Sequence, residues 1–136
     1  MEPNYALLVC SGDLRPSANL KCWPMQQKME EELAKAFRNY SWEIRRAHPY
    51  NEEKGHGFID YQHIGIKIFR GIDKTRPLVV AESVWQYSHH VLAGLISHEG
   101  PILVIANWDG TYPGRVGALY RSGCWTLAGE NSCSGW

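Results

Sequence analysis

The sequence contains no C-x-x-C pair, no histidines at zinc-finger spacing and no run of about 18 apolar residues. It therefore carries no zinc-module signature and no stretch written as a membrane-spanning helix. An excess of one charge is also missing. Lys plus Arg and Asp plus Glu number 14 each, so no overall field draws the chain to nucleic acid or to an anionic membrane. Residues 1–10 lack the basic segment and apolar stretch of a secretory signal, which makes the cytoplasm the expected compartment. Neither G-x-x-x-x-G-K-[ST] nor G-x-G-x-x-G occurs, so nucleotide binding is without support. The absence of G-x-S-x-G and H-E-x-x-H removes the corresponding hydrolase readings.

What is present is enough apolar content for one core. With 136 residues, 44% of them hydrophobic, the expectation is a single domain. Cys10, Cys22, Cys124 and Cys133 read as reduced thiols, with Cys10 acting as a small buried hydrophobe at the end of an apolar run.

Residues 5–10 (YALLVC), 77–81 (PLVVA) and 101–106 (PILVIA) are short, nearly unbroken apolar runs. Strands covered on both faces of a parallel sheet read this way. Residues 41–46 alternate Trp42 and Ile44 with polar residues, which predicts a strand nearer the sheet edge. Met25, Met29, Leu33 and Phe37 recur every fourth residue after Pro24, which predicts a helix opening at that proline. Residues 58–69 and 89–97 are expected to be crossover helices, and 48–57 a loop. The order β-α-β-α-β-α-β implies an α/β, Rossmann-like parallel sheet of about four strands with helices on both faces. Residues 1–120 are expected to form this domain. Residues 121–136 show no helical or strand period and read as an irregular tail.

In open parallel sheets, ligands bind outside the carboxyl ends of the strands, where loops converge and helix amino termini offer unpaired N–H groups. Three loops qualify. Residues 11–22 carry Asp13, Arg15, Ser17 and Asn19, and a guanidinium beside Pro16 suits fixed contacts to hydroxyl or carboxylate oxygens. Residues 82–90 bring Glu82, Trp85, Gln86, Tyr87, His89 and His90 directly after a buried strand. Aromatic faces can pack on the C–H face of a sugar while amides and carboxylates meet its hydroxyls. The competing structural reading is rim packing for Trp85 and Tyr87 and a helix start for His89 and His90. Residues 107–117 follow the third apolar run with Asn107, Trp108, Asp109 and Arg115, and a tight turn explains them equally. A metal pair of His89 and His90 is disfavoured because neighbouring helical residues point to different sides. His48, His56, His63 and His98 read as scattered surface or capping residues.

Gly12-Asp13-Leu14-Arg15-Pro16 after the first strand, Trp85-x-Tyr87 after PLVVA, and HHVLAGLISHEGPILVIANW together resemble the N-terminal domain of L-fucose isomerase-like proteins, relatives of the L-arabinose isomerases. The resemblance covers roughly residues 5–117 and is most specific over 78–114. It implies an aldose–ketose isomerase of small sugars of the L-fucose or L-arabinose type that works with manganese in full-length relatives. It also implies a homo-oligomer in which this domain reaches into a neighbouring subunit's site. Metal ligands would lie in later domains, so no catalytic residue, metal ligand or cofactor is expected in this chain. Arg15 and Trp85 would be the leading sugar contacts, Arg15 through hydroxyls and Trp85 by stacking. The family's chain continues for several hundred residues, whereas this sequence departs from it near residues 115–121, and a truncated or frame-shifted end is the expectation. The alternative is a stand-alone α/β domain that binds a polyol, or regulates, without catalysis.

Overall fold

The apolar runs become three adjacent strands of a four-stranded sheet, two inner and one at an edge. The computed structural model describes residues 4–84 and 88–106. Among them, β1 (Asn4–Val9), β2 (Trp42–Arg46), β3 (Leu78–Glu82) and β4 (Ile102–Ala106) pair in the order β2-β1-β3-β4. All three pairings are parallel. Burial follows position. All five residues of β3, which lies between β1 and β4, are buried, whereas β2 at the edge has none fully buried. This agrees with the edge placement expected from the Trp42 and Ile44 alternation.

Strand side chains alternate between faces, and the two faces bury different sets. Ala6, Leu8, Val79 and Ala81 pack under Met29, Leu33 and Phe37 of helix α1 (Pro16–Arg38). Val9, Leu78, Val80 and Val104 pack on the opposite face with Phe69 of α2 (Gln62–Arg70) and Leu95 of α3 (Leu92–Ser97). Each such Leu or Val side chain contributes roughly 1.5–3 kcal/mol on full burial. The result is an α/β layer structure, as the apolar runs implied. None of its helices is long and apolar enough to cross a membrane among the described residues.

Three element boundaries differ from the sequence reading. Helix α1 opens at Pro16, eight residues before Pro24, which sits inside it. Pro16 supplies a fixed φ where the missing donor costs nothing. Pro24 removes the bond to the Leu20 carbonyl, but both residues are exposed, so the freed acceptor faces solvent. Residues 58–60 are extended rather than helical: Ile59 bridges Ser11, with the Gly12 N–H donating to the Ile59 carbonyl at 2.7 Å and the Ile59 N–H to the Cys10 carbonyl at 2.9 Å. Residues 88–97 divide into a 3₁₀ turn (Ser88–His90) and α3, with Val91 between them in a non-helical conformation.

The short α3 lies close to α2. A Cβ at Gly94 would fall 2.0 Å from the Phe69 ring, inside the larger core cluster. Gly94→Ala is therefore expected to lower stability by about 1–3 kcal/mol in urea unfolding, the usual cost of overfilling a packed core. An unchanged midpoint would show that α3 can lift away from Phe69 without loss.

Candidate functional site

The strand order reverses between β1 and β3. The chain leaves β1 toward β2 on one side, and β3 occupies the other side. Their carboxyl ends therefore flank a topological switch point, where open parallel sheets place ligands. The loop that follows β1 is held at several backbone groups. The Cys10 N–H donates to His48 Nε2 at 3.3 Å and the Ser11 N–H to Glu82 Oε1 at 3.4 Å. The Asp13 N–H donates to Asn19 Oδ1 at 2.7 Å, and Asn19 Nδ2 donates to the Asp13 carbonyl at 2.7 Å.

On this loop Asp13 and Arg15 form a two-point ion pair. Arg15 Nη2 donates to Oδ2 at 2.7 Å and Nε to Oδ1 at 3.2 Å, while the Arg15 backbone N–H donates to Oδ1 at 3.0 Å. The two partners differ in exposure: the Asp13 side chain is 1% exposed and the Arg15 side chain 60%. Burial raises the Asp13 pKa, but the hydrogen bonds from Arg15 outweigh it and keep the carboxyl below its ordinary range. A buried carboxylate thus orients a guanidinium that faces outward. This geometry suits directed hydrogen bonds to ligand oxygens.

The other expected contacts divide. Glu82 ends β3 fully buried and ties the two loops together through the Ser11 N–H. His89 is exposed and His90 buried, as expected of adjacent residues on a helical turn. Burial and the neighbouring His89 lower the His90 pKa against the pull of Asp60 and Asp13. Trp85, Gln86, Tyr87, Asn107, Trp108, Asp109 and the proposed tail from residue 121 lie outside the described residues. Among the described residues, no three His, Cys, Asp or Glu side chains group in a way that could hold a metal ion.

Behind the loop lies a polar cluster that sequence reasoning missed. Arg46, the last residue of β2, turns inward. Its Nη1 pairs with Glu30 of α1, Nη2 donates to the Gly57 carbonyl, and Nε donates to the His48 carbonyl at 3.0 Å. The guanidinium also stacks 5.4 Å from the Trp23 ring. Two histidines expected at the surface are interior instead, His48 at 6% exposure and His56 at 2%. Polar backbone groups of the 48–60 loop need partners once that loop folds over β1, and the rings provide them. His48 accepts the Cys10 N–H, and His56 Nδ1 accepts the Phe58 N–H at 3.1 Å. Burial and the Arg46 charge push the His48 pKa down to about 3, against a hydrogen bond to the Gly57 backbone, so the ring is neutral. The only advance signal was the Arg45-Arg46 pair, whose members a strand must send to opposite faces.

Cys10 and Cys22 are free thiols. Cys10 is fully buried, and burial pushes its thiol pKa up, which leaves it a packing residue rather than a nucleophile. A cavity of about 640 Å³ opens beside the carboxyl end of β2, lined by His48, Tyr50, Lys54, Asp60 and Lys67 among others. A second cavity of about 410 Å³, walled by Phe37, Tyr40, Trp42 and Leu103, lies at the amino ends of the strands, away from the polar loops. No protein-family model, curated protein or solved structure matches this chain.

Proposed function

We propose that this chain is the substrate-holding N-terminal portion of an aldose–ketose isomerase of small sugars of the L-fucose or L-arabinose type. In this reading it has no turnover of its own, works in the cytoplasm as part of a homo-oligomer, and depends on downstream domains for manganese. The observation that supports it is the exposed Arg15 guanidinium, oriented by buried Asp13 at the switch point between β1 and β3. Such a fork can address two hydroxyl oxygens at once, which a Lys ammonium cannot do with the same geometry.

Calorimetric or fluorescence titration with L-fucose and L-arabinose tests the reading. The 136-residue chain is expected to bind at least one of them. Arg15→Ala should weaken that binding roughly 10- to 100-fold, the loss expected when a charged hydrogen-bond donor is removed. Arg15→Lys should recover little of it. Equal affinity in Arg15→Ala would remove Arg15 from the site, and conversion of either sugar by this chain with manganese would overturn the non-catalytic assignment.

A further inference from the structure

We infer that Asn19 is a positioning residue that sets the Asp13–Arg15 pair in place for ligand, an inference that rests on the Arg15 contact proposed above. Asn is a poor helix former because its amide competes for backbone groups. Asn19 nevertheless lies in the first turns of α1, only 1% exposed, with its amide turned back onto the preceding loop. Both halves of that amide are used on one residue: Oδ1 takes the Asp13 N–H and Nδ2 supplies the Asp13 carbonyl, each at 2.7 Å. The side chain thus plays the part of a strand partner for a single residue beyond the end of β1.

Space has been left for it. A Cβ at Gly12 would lie 2.6 Å from Asn19 Oδ1 and 2.6 Å from the Phe58 Cβ, so only glycine lets the amide reach the loop. The chain of contacts then runs Asn19 to the Asp13 backbone, the Asp13 carboxylate to the Arg15 Nε and Nη2, and the guanidinium outward. Gly12, Asp13, Arg15 and Asn19 form a unit with spacing G-D-x-R-x-x-x-N. The rest of the loop is anchored independently, by Glu82 on Ser11 and by Ile59 on Gly12. Removing Asn19 should therefore loosen Asp13 and Arg15 without releasing the loop.

Two measurements on the full chain test this. In NMR hydrogen exchange, the Arg15 Nε–H is expected to exchange at least about tenfold faster in Asn19→Ala, because its carboxylate partner is no longer fixed. Asn19→Leu removes the amide while keeping the side chain's volume and adding no buried charge. It guards against a failure of the alanine variant to fold and should show the same acceleration. In L-fucose titration, Asn19→Ala should weaken binding about tenfold when Arg15 is present and not at all in an Arg15→Ala background, the mark of a role exerted through Arg15. An unchanged Nε–H exchange rate in the variant that folds overturns the inference, as does equal weakening in both backgrounds. If L-fucose does not bind the unaltered chain, the proposed function fails, and the exchange measurement still decides the role of Asn19.

Discussion

Arg46→Ala is expected to destabilise the fold by about 2–4 kcal/mol, below the roughly 3–5 kcal/mol for removing one partner of a fully buried ion pair because this pair is only partly buried. The size follows from what the guanidinium holds. Its side chain is 23% exposed and that of its partner Glu30 is 14% exposed. Without Arg46, the Glu30 carboxylate would keep, among the described residues, the amide of Gln26 at 3.0 Å, and the carbonyls of His48 and Gly57 would each lose a donor, Gly57 retaining the Cys10 thiol at 3.4 Å. Burial works against the Arg46 charge, but the neighbouring Cys10 and Glu30 more than offset it and raise its pKa further. Urea unfolding of Arg46→Ala and of Glu30→Gln/Arg46→Met separates the two components of the loss. The double variant removes both charges and should recover part of the stability, as replaced buried pairs often do. A cost below about 1 kcal/mol for Arg46→Ala would place the pair among ordinary surface bridges.

Acid should begin to destabilise the protein before its carboxylates titrate. The His48 pKa lies at about 3 in the folded chain against 6.5 for a free ring. Between those values the unfolded chain binds the proton and the folded one does not, so stability falls as pH falls from 6.5 toward 3. Linkage makes the contribution of His48 on the order of 4 kcal/mol across that window. His56 and His90 are shifted in the same direction, chiefly by burial, and add to the trend. Asp13, also lowered, loses its contribution only below its ordinary value of 3.8. A protonated His48 would turn Nε2 into a donor facing the Cys10 N–H, with the Arg46 Nη2 3.4 Å from Nδ1. His48→Gln keeps an acceptor within reach of Cys10 and cannot take up this proton. Its deficit relative to the unaltered protein should shrink as unfolding is measured from pH 7 down to pH 4. A deficit independent of pH would mean that another group drives the acid response.

The parallel sheet was legible because its inner strands are buried on both faces. Such strands must be apolar at consecutive positions, as residues 5–10 and 77–81 are; residues 101–106 read the same way, yet β4 lies at an edge with Leu103 exposed. The edge strand β2 was legible from its alternation, and the covering helix α1 from its fourth-residue repeat. Where periodicity was weak, the boundaries moved. Pro24 looked like a helix start because proline favours the first turn, yet Pro16 had the same qualification earlier in the chain. Residues 58–60 read as the start of a helix because their apolar content fits either period, and the pairing of Ile59 with Cys10 and Gly12 decided for an extended chain.

The candidate site was legible in part. The sequence alone singled out Arg15 and the polar loops at strand ends, because charge beside a proline after a buried strand is a local signal. Its partners were not legible as partners. Glu82 reaches Ser11 across 71 residues, and Cys10 meets His48 across 38 and Arg46 across 36. No local pattern encodes such distances. By itself, then, the sequence determined the layer architecture and the strand ends on which chemistry can sit, since both follow from near-neighbour hydrophobicity. Only the tertiary structure decided that Asp13 orients Arg15 under the hold of Asn19, that Glu82 serves the loop backbone, and that His48 and His56 belong to the interior. Those roles depend on which buried polar groups meet when distant segments close over β1, where each must find a partner away from water.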